Sequence, residues 1–309
     1  MTKSVFWVNW SIDCEATQHS VNDAGLGRRA SEGYADILDE HGLKGNFFII
    51  PKDAESAPDL YRSIRDRGHE VGLHLHPGDE GFFEFAGVMG PDEQRELVGK
   101  AKDRWAQAIG FEPVTFCMGY ASANDYTYAV LEEAGFKYGQ VGLPGRRLPE
   151  TACVWEGAPL YIHYANRFNR ILPGDMDFVD VPHTIDTESY MWGGKHPQDL
   201  RVELVDAKNH WYTMYKSVMK QKDDDSLTVR LLRGVTHNTF DYSDPDNFRR
   251  QTLLGMIDGM KGILDNAGFN MKPAVLGEIV AEYRRTERKF DPKQGLQLDR
   301  RGYGGKKTV

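Results

Sequence analysis

Cysteine is scarce: Cys14, Cys117 and Cys153 are the only three among 309 residues, and none sits in a CxxC pair. An odd, scattered set excludes a disulfide framework and a cysteine-only zinc site. Basic charge is also in deficit. Lys and Arg number 38 against 46 Asp and Glu, a net charge of -8. A polyanion-binding surface needs the opposite balance, so nucleic acid is not an expected partner. No apolar run approaches the roughly 20 residues that cross a bilayer, so no membrane contact is expected either. The stretch Val5 to Trp10 is short, is interrupted by Asn9 and lacks a small-residue cleavage site. It reads as a first strand and not a signal peptide. With unpaired cysteines, a reducing, cytoplasmic setting is the expectation.

What is present suits a folded enzyme-sized chain. Hydrophobic residues are 40% and charged residues 27%, enough apolar material for a core and too little charge for global disorder. Strand-like and helix-like runs alternate. Val5–Ser11 is β-rich, and Ala30, Tyr34, Ile37 and Leu38 recur at helical spacing before Gly42. Asn46–Ile50 and Glu70–Leu75 read as strands, separated by a helix marked by Leu60, Tyr61 and Ile64. A long helix runs from Pro91 to Gly110, with Pro at its first turn and Gly past its end. A strand over Val114–Cys117 and a helix over Asn124–Ala134 follow. The stretch from about Pro144 to Gly194 is irregular and suits rim loops. The spacing then predicts helices over Leu200–Met219, Phe248–Leu264 and Ala274–Tyr283, with a strand over Leu227–Val235. Such β-then-α order implies parallel strands with helices outside. No linker divides residues 1–288, which are expected to form one domain. Residues 289–309 are a polar tail, loose or docked on a neighbouring subunit, and homo-oligomerisation stays open.

Four chemistry-bearing clusters lie where a strand gives way to a loop: Ser11–Glu15, Gly72–Pro77, Phe116–Tyr120 and Val235–Asn238. In parallel α/β proteins the carboxyl ends of strands share one rim, where active sites form. Within the second cluster, His74 and His76 are two apart and so share a strand face. By itself an HxH pair is as readily a polar core feature as a metal site. Asp13 and Glu15 alternate in the same way, and a lone strand-end DxE is more often a cap. Together, two imidazoles and a carboxylate make the donor set of an open catalytic zinc site. A lone His237 after a strand reads more readily as structural than as an acid, and Tyr120 as packing. A cysteine nucleophile at Cys14 or Cys117 is less favoured than a buried, inert thiol. The aromatics Tyr161, His163, Tyr164, Tyr190 and Trp192 fit core packing at least as well as a sugar-stacking wall. Asp175, Asp177, Asp180 and His183 suit either site support or a solvated rim.

The order of these clusters resembles the polysaccharide deacetylase family, the NodB-homology or carbohydrate esterase family 4 group. Ser-Ile-Asp-Cys-Glu at 11–15 stands where the family has Thr-Phe-Asp-Asp-Gly. Gly45-Asn46-Phe47-Phe48 stands for its Ala-Thr-Phe-Phe strand, and Gly68-His69-Glu70-Val71-Gly72 for the segment before its metal histidines. Cys117-Met118-Gly119-Tyr120 falls in the place of Arg-x-Pro-Tyr, and His237 in that of the late strand-end His. The resemblance spans roughly residues 5 to 283. It departs at Cys14, which replaces the family's second Asp, at His76, which replaces a His four residues after the first, and at Cys117, which replaces the Arg that orients the catalytic Asp.

The resemblance implies an α/β fold, a distorted (β/α) barrel of the NodB-homology type, with its active site at the C-terminal strand ends. It implies a divalent metal, zinc foremost, on Glu15, His74 and His76. Asp13 is then the base, the Tyr120 backbone N–H the oxyanion donor and His237 the acid for the leaving nitrogen. The expected activity is metal-dependent hydrolysis of an amide, removing an acetyl group from a small N-acyl substrate such as an N-acetyl sugar. Two alternatives are a cyclic imide or ureide hydrolase of the allantoinase-like branch and a non-catalytic metal- or sugar-binding relative.

Overall fold

Val5–Cys14 (β1) is the spine of the molecule, and all but its first residue are buried. Its near-continuous apolar run is what a strand covered on both faces needs. The structure, a computed structural model, describes residues 4–290. Of the polar tail expected over 289–309, only Lys289 and Phe290 fall among them. Lys289 pairs with Asp177, and the Phe290 N–H donates to the Gly174 carbonyl.

After β1 come Ala24–Glu40 (α1), Gly45–Ile49 (β2), Pro51–Ser56 (α2), Pro58–Asp66 (α3) and Glu70–Leu75 (β3). Pro91–Ile109 (α4), Thr115–Met118 (β4), Thr127–Glu133 (α5) and Tyr138–Gln140 (β5) continue the alternation. The irregular middle holds short pieces: Arg147–Leu148 (β6) with Cys153–Val154 (β7), His163–Tyr164 (β8), Val179–Asp180 (β9), and Ile185–Met191 (β10) with His196–Asp199 (β11). Ala207–Lys222 (α6), Leu231–His237 (β12), Phe248–Ala267 (α7), Asn270–Pro273 (β13) and Leu276–Thr286 (α8) complete it.

The main sheet runs in the order β12-β1-β2-β3-β4-β5-β9-β8, with β13 on the first half of β1. Every pair is parallel except β8–β9. Parallel neighbours require crossovers, and the helices supply them. The sheet curls, and its gap beyond β9 is bridged by residues 181–184. There the Thr184 N–H donates to the Arg233 carbonyl at 3.1 Å, and the buried Arg233 guanidinium donates to the Val181 carbonyl at 2.8 Å. The result is the expected distorted barrel.

Local chemistry sets the helix ends. Pro91 opens α4, with Asp92 and Glu93 in its first turn against the helix dipole, and Gly110 ends it at φ 95°. Asp23 caps α1 by accepting from the Leu26 N–H, and Asp206 caps α6 by accepting from that of Asn209. Inward faces such as Ala30, Tyr34, Ile37 and Leu38 of α1 cover the sheet residues Trp10, Ile12 and Phe47 in one core.

Three segments differ from expectation. The helix predicted over Asn124–Ala134 begins at Thr127, because Asn124 is spent on the loop before α4: its side chain donates to the Gly87 and Met89 carbonyls and accepts from Gln94. The helix predicted over Leu200–Met219 begins at Ala207. Leu200 and Val202 instead trade backbone hydrogen bonds with Val235. The strand predicted over Leu227–Val235 is shifted to Leu231–His237, so His237 is in the ladder and not after it.

Candidate active site

Parallel pairing brings the four clusters to one rim. Asp13, near the end of β1, is in register with His237 at the end of β12, and His74 on β3 is in register with Cys117 on β4. His76 lies just past β3, which ends at Leu75, where Pro77 begins a tight turn. The loop after β1 is fixed by Asn238, whose side-chain oxygen accepts from the N–H groups of Glu15 and Ala16 at 2.7 and 2.9 Å. That contact aims Glu15 across the rim.

Oε2 of Glu15 lies 3.2 Å from Nε2 of His74 and 3.0 Å from Nε2 of His76. The three ligand atoms lie within 4.8 Å of one another, close enough to share one ion. Each imidazole is oriented through its other nitrogen. His74 Nδ1 lies 3.2 Å from the Cys117 carbonyl, which can only accept, so that nitrogen donates. His76 Nδ1 lies 2.9 Å from Oε1 of Glu84, whose other oxygen accepts from the Gly78 N–H at 3.0 Å. Such outer partners fix the tautomer that leaves Nε2 facing a metal. Burial disfavours charge on His76, yet Glu15 and Glu84 push it up to about 10. Burial likewise opposes charge on Glu15, but His237, His74 and His76 hold it well below the usual carboxylate range. A cation is what this cluster is charged to receive. Gly119 keeps the approach open, since a Cβ there would stand 2.8 Å from the His76 ring.

Asp13, His74 and Cys117 form a second close group. Its thiol is committed elsewhere, donating to Gln140 at 3.1 Å. Burial, and then Asp13, push Cys117 well above the ordinary thiol range, and burial does the same to Cys14. Neither thiol is a ready nucleophile or ligand. The Glu15 set is the better metal site.

His237 Nε2 stands 3.9 Å from Asp13 Oδ2, and its Nδ1 is hydrogen-bonded to Glu203. Burial works against a charged imidazole here, but Glu203, Glu15 and Asp13 raise it to about 9. Tyr120 sits in the left-handed region at φ 57°, with its ring 5.0 Å from that of His76. Its carbonyl accepts from Arg146 at 3.0 Å, which pins this strained turn over the cleft. All six residues singled out by the sequence, Asp13, Glu15, His74, His76, Tyr120 and His237, line one cleft of about 260 Å³.

Sequence reasoning missed Glu84, Glu203, Arg146 and Arg201. They come from loops or remote segments, and no local spacing links them to the clusters. In the acidic stretch, Asp180 is a buried latch accepting from Tyr128 and from the Val141 N–H, while His183 lines the cleft. Among the aromatics, Tyr164 packs on Tyr283, whereas Trp192 is exposed and lies against His196.

Residues 20–139 match the family model for polysaccharide deacetylase. No curated protein matches the chain. Three solved structures share the fold over nearly the whole length. A provisionally assigned polysaccharide deacetylase from Mycobacterium smegmatis is 15% identical, with a TM-score of 0.61 and 94% of each chain covered. A counterpart from Pseudomonas aeruginosa PAO1 is 13% identical, with a TM-score of 0.61 and 92% of each covered. Puue allantoinase is 12% identical, with a TM-score of 0.62 and 93% of each covered. Among the described residues no helix is long and apolar enough to cross a membrane. The fold and the order of the clusters agree with this match, so the chain is similar to polysaccharide deacetylases, with the family match itself confined to residues 20–139.

Proposed function

We propose that this protein is a metal-dependent hydrolase of a small acyl amide. The observation that carries the reading is the convergence of Glu15 Oε2 with the Nε2 atoms of His74 and His76, each imidazole being held by a partner behind it. Two nitrogens and one oxygen suit a divalent ion, zinc foremost, with room left for water and substrate. When bound, the ion supplies a Lewis acid that lowers the pKa of water and polarises an acyl oxygen.

The chain's own groups do the rest. Asp13, beside this cluster but outside it, takes the proton of the attacking water. The Tyr120 backbone N–H faces the oxygen on which negative charge develops. His237, kept protonated by Glu203, delivers its proton to the departing nitrogen and becomes a neutral imidazole. Cys117 occupies the place of the family's Arg, and its thiol, 3.7 Å from Asp13 with its one hydrogen directed at Gln140, does not replace that Arg as a charged donor. Arg233 is fully buried nearby, with Asp13 among the groups that favour its charge against burial.

A cleft of about 260 Å³ is at the small end of ligand sites, which favours a compact substrate over a polymer chain. Removal of acetate from a small N-acetyl compound is the first reading. Opening of a cyclic amide is the second, and the compact cleft suits it equally. The test is purified, metal-analysed protein assayed for acetate release from small N-acetyl sugars and for ring opening of cyclic ureides. Higher turnover on chitin or peptidoglycan chains than on either would overturn the small-substrate assignment. We further propose a cytoplasmic location, which fits the three buried, unpaired cysteines.

A further inference from the structure

Opposite the carboxylates, the same cleft has a wall of the other charge. Arg146 and Arg201 are drawn together by one imidazole: His196 Nε2 lies 2.7 Å from Nη2 of Arg146 and 3.0 Å from Nη2 of Arg201. His196 can accept from both because its Nδ1 faces the Pro197 carbonyl. Burial holds it down at about 4, so it adds no charge. Asp199 pairs with Arg201 at 3.3 Å, and Glu203 and Asp13 act on the same guanidinium from further away.

Three further atoms beside the wall lack protein partners. Nε of Arg146 is buried with none, and so are both ring nitrogens of His183. His183 is only 4% exposed, yet it lines the cleft alongside Arg146 and Arg201. Burial and the charges of Arg233, Arg201 and Arg146 hold it well below the usual histidine range. It is therefore neutral, with one donor and one acceptor. It also lines a second cavity of about 30 Å³, room for about one water, which satisfies one nitrogen at most. Buried polar atoms without partners are costly, so such a cluster is expected to be completed by a ligand.

We propose that the substrate of the hydrolase carries a carboxylate, and that Arg146, Arg201 and His183 bind it while the amide lies over the Glu15–His74–His76 cluster. This assignment rests on the hydrolase reading above. A guanidinium fork suits the two oxygens of a carboxylate, and the neutral His183 can donate to one of them. The wall is a binding feature, but it also meets the catalytic side, because Arg146 holds the carbonyl of Tyr120.

The experiment measures calorimetric binding of N-acetylglycine and of its neutral counterpart N-acetylglycinamide. Both are titrated into zinc-loaded protein and into protein stripped by a chelator. The acid is expected to bind at least tenfold more tightly than the amide in both forms, and Arg201→Gln or Arg201→Lys is expected to abolish that difference. Equal binding of acid and amide to the wild-type protein overturns the proposal without any variant having to fold. A preference for the acid that vanishes on stripping also overturns it, because the carboxylate was then on the metal, while the hydrolase reading stands. Competition by inorganic phosphate at lower concentration than the acid replaces carboxylate by phosphate and overturns the class named here. Absence of stoichiometric zinc, with the acid preference retained, defeats the hydrolase reading and leaves the anion site.

Discussion

His76 and Glu84 stand 2.9 Å apart, Nδ1 to Oε1, eight residues apart in the chain and on opposite sides of a turn. The carboxylate does not reach the cleft's centre. It acts through the imidazole, fixing the tautomer and making Nε2 a stronger donor to a metal. Glu84→Gln keeps the size but loses the charge. Zinc affinity is expected to fall about 10- to 100-fold, measured by competition with a chromophoric chelator, while circular dichroism stays unchanged. Unaltered affinity would make the pair an incidental contact.

The proposed ligands are expected to carry a larger penalty. His74→Ala and His76→Ala are each expected to abolish stoichiometric zinc with the fold intact, and Glu15→Gln to weaken it. Full metal occupancy in both histidine variants, read by elemental analysis, would show that the ligand set is misassigned.

Asp13 and Glu15 are expected to separate by function. Asp13→Asn should keep zinc and lose about 10²- to 10⁴-fold in kcat, the usual worth of a general base. The opposite pattern, an empty site with Asp13→Asn and a full one with Glu15→Gln, reverses the two roles.

His237, in the proposed role of acid, is expected to set the alkaline side of the pH profile. Held at about 9 against burial, mainly by Glu203, it is charged at neutral pH and loses its proton as pH rises through about 9. If it is the acid, activity declines there. Glu203→Gln removes the largest supporting charge, so the decline should move toward the ordinary value of 6.5. The same raised pKa contributes stability that is full below about pH 6.5 and is lost as pH rises through about 9. An alkaline limb unmoved by Glu203→Gln would take the acid role from His237.

The thiols should be silent. All three cysteines are buried, and burial raises Cys14 and Cys117 well above the reactive range. Iodoacetamide on the native protein is expected to leave activity intact and to alkylate all three only after denaturation. Rapid inactivation in step with labelling of Cys117 would revive covalent catalysis.

The six site residues were legible because each sits in a local pattern. HxH at the end of β3, DxE at the end of β1 and a late strand-end His are short-range facts, and parallel strands deliver their carboxyl ends to one rim whatever the loops do. The barrel was legible for a similar reason, since alternating strand and helix periods leave few topologies open. Boundaries were less so. Asn124 looked like the start of a helix but is held by the loop before α4, and Leu200 looked helical but is held by Val235. In both cases a long-range hydrogen bond outweighs a weak local propensity.

Which residues support the site was decided by the tertiary structure alone. Glu203 meets His237 across 34 residues, Arg146 meets His196 across 50, and Glu84 reaches His76 around a turn. Sequence spacing carries no trace of these partners, because a carboxylate or guanidinium in a loop looks like any solvated charge until the chain brings a buried imidazole to it. The sequence by itself determined the donor types and the rim on which they gather. Packing decided their charge states, since burial and the nearest opposite charge set each pKa, and both exist only once distant segments have met.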